Sequence, residues 1–343
     1  MIFRHHRHRS TVSITPRGAE PTLTNQLAMS PRLKSRLIAV ATLIVFAAAL
    51  WVLHRSLGKI RWEDVRAHLD SLPRWRIAAA LAFAAGSYIM LTFYDLLGVR
   101  FVGSALPWRR VAPISFMAYA FGHNLGFATL TGGALRLHDY TRRGLSGRQV
   151  AGVVSLCAIT FGLGVNVLLD YALLLHAHTA SKILHVAPLT AQFMGLGNVG
   201  LLLGYLWLTA GRADRPFTLG GQTFSAPPLR FALMQITVSV ADLACSAAAL
   251  FLLLPPLHLG YPAFIGLYAL AMAAAIVSNV PGGLGVFESV LILVLPNLAT
   301  AALIGGVLAF RAAYYLLPFI LALLLLAARE ARGLLRRSAN RGS

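Results

Sequence analysis

The sequence predicts an all-α polytopic membrane protein. Its 343 residues are 57% hydrophobic and only 12% charged, and the mean hydropathy is +0.70, whereas soluble domains carry roughly 25% charged residues. Several apolar runs approach the ~20 residues that a helix needs to cross the hydrocarbon core. Two of these runs are interrupted by Gly, Asn and Pro. We therefore expect about six full spans and two re-entrant helical hairpins.

The uninterrupted runs define the spanning helices. A cleaved signal peptide is the alternative only for the first run, but no small-residue cleavage site follows it, so we favour a membrane helix there. The predicted spans are residues 37–53, 77–98, 150–175, 191–210, 231–254 and 299–328.

The domain organisation follows from these runs. We predict a disordered basic tail over residues 1–31, a single transmembrane domain over 32–330 and a basic tail over 331–343. The charged and apolar pattern of residues 54–76, with two tryptophans, predicts a short helix in the membrane interface.

The net charge of +19 raises nucleic acid as a partner. Most of this charge lies in tails and loops, where anionic lipid is a nearer counterion than nucleic acid. Each basic residue there contributes about 1 kcal/mol of attraction to the anionic membrane surface. We therefore expect no nucleic-acid partner. Metal binding by His5, His6 and His8 is the alternative to a solvated basic tail, which we favour, and we expect no metal site and no cofactor.

The distribution of Lys and Arg predicts the topology, because these residues are retained on the cytoplasmic side. If residues 111–130 and 264–295 form re-entrant hairpins and both termini are cytoplasmic, most of the 30 basic residues lie inside. If each segment spans once, the majority lie outside. The first threading brings the hairpins in from opposite faces, which favours an inverted repeat; chance similarity of the two halves is the alternative.

Five ionisable residues lie within or next to the apolar runs, where each costs roughly 2.5–3.5 kcal/mol at the bilayer centre unless it is paired or hydrated. Asp95 is near a span end and could reach the interface. For Asp170 and Asp242, helix–helix hydrogen bonding is the favoured interpretation. Glu288 and Arg311 are stronger candidates for a functional site, with a structural Arg–carboxylate pair as the alternative for Arg311.

Arg311 lies roughly 18 Å from the outer end of its span at 1.5 Å per residue. Pro318 removes the amide that would bond the Tyr314 carbonyl, so we expect a bent helix with an available acceptor. Arg311, Tyr314 and Tyr315 then form a polar cluster on that helix.

The interrupted segments predict half-helices with unpaired amides at membrane depth, which suit a phosphate or carboxylate. In the second segment a half-helix would begin near Leu284, one or two turns before Glu288. In the first, Thr131 is expected to cap the half-helix that carries Arg136. Packing of glycines between crossed helices is the alternative.

Other classes of site are excluded by their motifs. The GGLG at residues 282–285 is neither a P-loop nor a dinucleotide fingerprint, because no Gly-Lys-Ser/Thr follows and no strand precedes it. The interrupted segments hold no paired histidines and no serine nucleophile. His123 stands alone, and we expect a satisfied interior or interfacial histidine.

Four motifs carry a family resemblance: LTFYDLLGVRF (91–101), GFATLTGGALRLHDYTRRGLS (126–146), NVPGGLGVFES (279–289) and FRAAYYLLPF (310–319). Together they resemble the membrane domain of the lysylphosphatidylglycerol synthase/flippase family, the multiple peptide resistance factor (MprF) type. The resemblance covers most of residues 37–330. It implies functional roles for Asp95, Arg136, Glu288 and Arg311.

In that family the membrane domain is regarded as the flippase, and a soluble domain makes the lipid. We expect no soluble domain after the last span, so the resemblance implies transport or binding of a phospholipid, anionic or aminoacylated, and not an enzyme. A separate lipid-modifying enzyme is a further expected partner. The alternative is a membrane scaffold or regulator of a lipid or envelope-glycan synthase.

The predicted site combines both arguments. A lipid phosphate would lie against the hairpin amides and Arg136 or Arg311. Glu288 and Asp95 would bind a cationic group of the lipid headgroup. We expect the protein to lie in the inner membrane of a bacterium. The predicted headgroup-binding residues are Asp95, Asn124, Gly132, Gly133, Arg136, Asn279, Gly282, Gly283, Glu288, Arg311 and Tyr314.

Overall fold

A computed structural model describes most of the chain. It is helical apart from one hairpin of two three-residue strands, so the predicted all-α membrane fold is confirmed. The predicted first span, 37–53, and the predicted tail, 1–31, lie outside the described residues. The described residues are 62–125, 128–211, 217–219, 222–224, 227–278, 286–295, 298 and 300–339.

The helices follow one another with short connections. In the two-stranded hairpin, Phe217 pairs with Phe224 in antiparallel register. The elements are α1 Trp62–Ser71, α2 Arg74–Phe101, α3 Trp108–Leu125, α4 Ala128–Thr141, α5 Gly147–Leu175, α6 Ala177–Leu184, α7 Pro188–Gly211, β1 Phe217–Leu219, β2 Gln222–Phe224, α8 Leu229–Leu253, α9 Tyr261–Ser278, α10 Val286–Val294, α11 Thr300–Arg311, a π-helix Ala312–Leu316 and α12 Leu317–Ala339.

Within the described residues, 6 helices are long and apolar enough to cross a membrane. Five of them, α2, α5, α7, α8 and the segment Ala302–Arg329, coincide with predicted spans. The sixth is α9, which the sequence assigns to the first arm of the second interrupted segment. The polytopic architecture is thus confirmed, while re-entry of the interrupted segments stays a prediction.

The start of α5 shows how sequence fixes a helix end. The Ser146 hydroxyl accepts from the Gln149 amide at 3.2 Å, and the Gln149 side chain accepts from the Ser146 amide at 2.9 Å. This reciprocal capping box satisfies two amides that a helix start leaves unpaired. Gln149 Nε2 also donates to the Val102 carbonyl at 3.0 Å, so the cap fastens α5 to the end of α2.

A glycine allows close contact between α5 and α8. A Cβ on Gly164 would lie 2.6 Å from the Ser239 Cβ, which is far inside van der Waals contact. Small residues bring membrane helices together in this way, since lipid offers no hydrophobic driving force between them.

The two interrupted segments form two pairs of packed helices, α3 with α4 and α9 with α10. The first pair lies beside the start of α5, where Leu137 contacts Gly147. The second lies beside the end of α5, where Gly266 approaches His176. The pairs therefore contact opposite ends of α5.

The last long helix contains an irregular turn just before Pro318. Residues Ala312–Leu316 are π-helical, and the Tyr314 carbonyl accepts a hydrogen bond from the Tyr88 hydroxyl at 3.3 Å. The expected availability of the Tyr314 acceptor is confirmed, while a bend of the helix stays a prediction. α12 then continues to Ala339, into the predicted 331–343 tail.

The predicted helix within residues 54–76 is present in the described part as α1. Its location in the membrane interface stays a prediction. Pro73 precedes the start of α2, and close to that start the Arg76 guanidinium donates to the Leu254 carbonyl at 2.8 Å.

Candidate functional site

Asp95 and Arg136 form a closed ion pair between α2 and α4. Arg136 Nε donates to Asp95 Oδ2 at 2.9 Å and Nη2 donates to Oδ1 at 2.7 Å. The two side chains are 0% and 5% exposed. A bidentate Arg–carboxylate pair is strong and geometrically specific, so it clamps α4 against α2.

Neighbouring side chains complete this clamp. The Tyr140 hydroxyl donates to Asp95 Oδ2 at 2.7 Å, and the Cys157 thiol of α5 lies 3.5 Å from Oδ1. The Arg136 guanidinium lies over the Tyr119 ring, 4.5 Å from its centre, in a cation–π contact. The clamp therefore joins four helices.

Gly132 lets α4 approach α3 closely enough for this clamp. A Cβ at this position would lie 2.7 Å from the Ala118 carbonyl oxygen and 3.1 Å from Arg136 Nη1, whereas one on Gly133 would meet nothing within 4 Å. Both glycines lie inside α4. The structure thus gives Gly132 a packing role beside its predicted headgroup role.

Glu288 and Arg311 form the second carboxylate–arginine pair, between α10 and the end of α11. Arg311 Nε donates to Glu288 Oε1 at 2.9 Å, and Nη2 donates to the same oxygen. The side chains are 20% and 17% exposed. Arg311 also lies 5.9 Å from the centre of the Tyr315 ring. Both donors bind one oxygen, so the hydrogen bonding of this pair is less symmetric than that of the first. The larger exposed fractions make it less enclosed.

Exposed aliphatic side chains lie near this pair on both helices. Ile292 lies one turn after Glu288 on α10, and Ile304 lies two turns before Arg311 on α11; each is 38% exposed. Val307, which lies one turn before Arg311 on the same helix face, is 2% exposed. The pair therefore lies where buried and exposed apolar side chains meet.

The end of α3 touches the π-helix. Asn124 Nδ2 donates to the Tyr315 carbonyl at 3.0 Å and to the Ala120 carbonyl at 2.8 Å. The His123 ring stacks on Tyr314, with 6.0 Å between centres. Asn124 thus links the first helix pair to the helix that carries Arg311.

His123 lies in the interior, as expected, but it is not a satisfied histidine. Its buried Nδ1 has no hydrogen-bond partner among the described residues. The ring is surrounded by aromatic rings instead, since Tyr88, Tyr119 and Tyr315 have centres 5.8–6.1 Å away.

A third polar cluster surrounds Asp242 of α8. Tyr94 donates to Asp242 Oδ2 at 2.9 Å, Ser87 donates to Oδ1, and the Ser87 hydroxyl lies 2.6 Å from the Tyr314 hydroxyl. The favoured interpretation of Asp242 as a partner in helix–helix hydrogen bonding is confirmed. Sequence reasoning missed Ser87 and Tyr94 as its partners. Their spacing of seven places both on one face of α2, and this was the available signal.

Asp170 is likewise bonded between helices. Asn198 of α7 donates to Asp170 Oδ1 at 2.6 Å, and Asn166 donates to Asn198 Oδ1 at 2.8 Å. The favoured interpretation of Asp170 is therefore also confirmed.

Two expectations about these segments are wrong. Thr131 does not cap α4, because the helix already begins at Ala128. Asp95 does not reach the interface, because it is fully buried against Arg136. In the described residues Glu288 lies on α10, while the predicted start of a half-helix near Leu284 lies outside them.

The predicted site residues thus divide into separate groups. Asp95 and Arg136 form the clamp with Gly132 nearby, Glu288 and Arg311 form the second pair, and Asn124 and Tyr314 connect to the π-helix. Within the described ranges, no three His, Cys, Asp or Glu side chains lie together as a metal site would require. The predicted residues Asn279, Gly282 and Gly283 lie outside the described residues, as does Leu284.

Comparison with known proteins identifies relatives along most of the chain. No protein-family model matches the sequence. The uncharacterized protein slr0712 of Synechocystis is 31% identical over 288 residues, which are 83% of this chain and 89% of that protein. The inner membrane protein YbhN of Escherichia coli is 30% identical over 288 residues, which are 83% of this chain and 90% of YbhN. This chain belongs to the YbhN family.

The YbhN-family chain is also related to a larger protein. A phosphatidylglycerol lysyltransferase of Staphylococcus haemolyticus is 25% identical over 306 residues, which are 87% of this chain but 35% of that protein. The resemblance to the MprF type, matched without the synthase part, is therefore confirmed. The YbhN-family chain is a multi-pass membrane protein related to the flippase-like part of the lysyltransferases.

Proposed function

We propose that this chain is a phospholipid flippase of the bacterial inner membrane. The Glu288–Arg311 pair binds the headgroup of a lipid such as phosphatidylglycerol or its aminoacylated form, and the chain moves that headgroup between leaflets. The observation that carries the proposal is a mostly buried ion pair that is 20% and 17% exposed and lies near exposed aliphatic side chains of the same two helices.

The depth of the pair supports this function. Arg311 belongs to the spanning segment Ala302–Arg329, roughly 14 Å from its first residue at 1.5 Å per residue. Ionisable residues at such depth are expensive and mark substrate pathways by default. A polar site at this level gives a headgroup a stopping point on its way across the hydrocarbon core.

The surroundings of the pair support a lipid over a water-soluble ligand. Ile292 and Ile304 are exposed on the same two helices as Glu288 and Arg311. A lipid diffusing in the membrane plane reaches such a surface laterally, and its acyl chains stay in the bilayer while the headgroup meets the pair.

The charges of the pair suit a phospholipid with an amine. An arginine binds a phosphate oxygen through its fork of N–H donors, and a carboxylate receives an ammonium group. In an aminoacylated phosphatidylglycerol both groups are present. Arg311 and Glu288 satisfy each other at 2.9 Å without ligand, so each would exchange its partner for a headgroup group of the same charge.

The predicted re-entrant hairpins would form the walls of this path. Contacts of the α3–α4 pair with the start of α5, and of the α9–α10 pair with its end, support opposite directions of insertion. Asn124 at the end of α3 bonds Tyr315, at the middle of a spanning helix, which supports partial penetration. Labelling of cysteines at Arg142 and His258, both exposed, tests this: the topology predicts modification from opposite sides.

The relatives support the same proposal. A protein of the same family is an inner membrane protein, and a more distant relative is a phosphatidylglycerol lysyltransferase. We extend this to a chain in the inner membrane with both termini in the cytoplasm, acting on a phospholipid related to phosphatidylglycerol.

The test is transport of a headgroup-labelled phosphatidylglycerol in proteoliposomes. We expect the wild-type protein to expose the probe to an external quencher faster than empty vesicles. The protein-dependent transport rate should fall at least tenfold in the Glu288→Gln, Arg311→Gln double variant, because the site loses both charges.

The matched control is Arg143→Gln. Arg143 pairs with Asp139 at 3.5 Å near the end of α4. The substitution therefore also removes an arginine from an ion pair, but it leaves the proposed site intact. Equal transport by wild type and the double variant would contradict the proposal. Absence of transport by wild type, together with a co-purifying lipid-modifying enzyme, would favour the scaffold alternative.

A further inference from the structure

The Asp242 cluster lies at the centre of the membrane-spanning part and is separate from the Glu288–Arg311 pair. Asp242 is close to the midpoint of Leu229–Leu253, Ser87 close to that of Arg74–Phe101, and Tyr314 close to that of Ala302–Arg329. The three midpoints meet through hydrogen bonds. This places the carboxylate about as far from water as the helices allow.

Asp242 has hydroxyl partners in place of a cation. Among the described residues its carboxylate accepts bonds from Ser87 and Tyr94, and none of the ion pairs between described residues involves it. It is 3% exposed. A carboxylate without a cation at this depth is costly, and buried carboxylates in transporters are typical of proton relays. Proton binding is the simplest way to neutralise it.

The hydrogen-bond chain can run in either direction. With Asp242 ionised, Ser87 donates to the carboxylate and Tyr314 donates to Ser87. With Asp242 protonated, the carboxyl O–H can donate to Ser87, which then donates toward Tyr314, 2.6 Å away. Hydroxyls both donate and accept, so a single proton reverses the chain and changes what Tyr314 donates to.

Tyr314 transmits this change to the proposed lipid site. It belongs to the π-helix Ala312–Leu316 that directly follows Arg311. Its own carbonyl is held by Tyr88, and the carbonyl of Tyr315 is held by Asn124 of the first helix pair. π-Helical turns are frequent at functional sites. This one connects the Asp242 carboxylate to Arg311 of the proposed lipid site and to the α3–α4 pair.

We propose that Asp242 is the proton-binding site that couples lipid movement to the proton gradient. The proposal rests on the proposed flippase function and names its energy source. In each cycle a proton from water on one side binds a carboxylate oxygen of Asp242 and leaves to water on the other side, while the π-helix alternates between two hydrogen-bond arrangements.

Other titratable groups lie around Asp242 and Tyr314. Those that interact with Asp242 are Tyr88 and Tyr94 on α2, Cys245 on α8 and Tyr268 on α9. His123 stacks on Tyr314, and Arg311 lies three residues before Tyr314 in the chain.

The experiment uses the full chain in vesicles of phosphatidylethanolamine and phosphatidylglycerol with a trace of fluorescent phosphatidylglycerol. A pH difference is imposed with the membrane potential clamped, and the probe in each leaflet is measured by external quenching. For one proton per lipid, one pH unit should shift the ratio between leaflets by up to about tenfold. The Asp242→Asn variant should show no shift.

The matched control is Asp170→Asn. Asp170 is also a buried membrane carboxylate, but its hydrogen-bond donor is the Asn198 amide of α7 and not a hydroxyl chain to the π-helix. This variant should keep the wild-type response to the gradient. Wild-type transport that ignores the gradient would overturn the coupling while leaving the flippase proposal intact, and a lost response in Asp170→Asn would overturn the assignment to Asp242.

A second measurement keeps the proposal testable if the wild type does not transport the probe. Infrared difference spectra of the purified wild type between high and low pH should contain a carboxylic-acid band that is absent in Asp242→Asn. An identical band in the variant would overturn proton binding at Asp242, whatever the fate of the flippase proposal.

Discussion

The Asp95–Arg136 and Glu288–Arg311 pairs have the same chemistry and different surroundings. Asp95 and Arg136 are 0% and 5% exposed, and Arg136 donates to both carboxylate oxygens of Asp95. Glu288 and Arg311 are 20% and 17% exposed and share one oxygen. In the first pair a hydroxyl, a thiol and an aromatic ring occupy the remaining space.

This difference indicates different roles. A fully enclosed bidentate pair has no direction from which a ligand can approach, so it holds helices in place. A partly exposed pair near exposed apolar side chains can exchange partners with a ligand at lower cost. The Asp95–Arg136 clamp therefore keeps the geometry in which Glu288–Arg311 works.

The largest expected effect is loss of stability when the enclosed pair is broken. Arg136→Ala leaves a buried, unpaired carboxylate and should cost about 3–5 kcal/mol, while Arg311→Ala should cost no more than about 2 kcal/mol, since its partner is partly exposed. Thermal unfolding in detergent measures both. Equal losses in the two variants would remove the distinction between clamp and site.

The next effect concerns the packing that supports the clamp. Gly132→Ala places a methyl group 2.7 Å from the Ala118 carbonyl and should destabilise by about 1–3 kcal/mol through overpacking. Gly133→Ala is the neighbouring control, with nothing within 4 Å, and should be neutral or stabilise by about 0.5–1 kcal/mol. The same thermal measurement checks the pair, and similar shifts would contradict the packing role of Gly132.

The smallest effect is local. Asn124→Ala removes the bond to the Tyr315 carbonyl and should cost about 1 kcal/mol, with faster hydrogen exchange in residues 312–316 by mass spectrometry. Asn166→Ala removes a comparable amide bond between α5 and α7 and should leave exchange in residues 312–316 unchanged. Unchanged exchange in the Asn124 variant would show that the first helix pair does not hold the π-helix.

Apolar runs predicted five of the six candidate spans among the described residues, because length and hydropathy decide which segments tolerate lipid. The acceptor at Tyr314 also followed from Pro318, since proline chemistry is local. Pairing could not be predicted in this way. Asp95 and Arg136 are 41 residues apart, and which carboxylate an arginine meets depends on how helices pack. The start of α4 before Thr131 was missed because two glycines in its first turns conceal a continuous helix.

The central claim is that the Glu288–Arg311 pair, and not the clamp, binds the lipid headgroup. Native mass spectrometry of gently extracted protein tests it most directly by recording the phospholipid that stays bound. We predict a retained phosphatidylglycerol-type lipid on wild type and on Arg143→Gln, and its loss from a Glu288→Gln, Arg311→Gln double variant with an unchanged elution profile. If the folded double variant retains as much of the same lipid as the wild type, the account is contradicted.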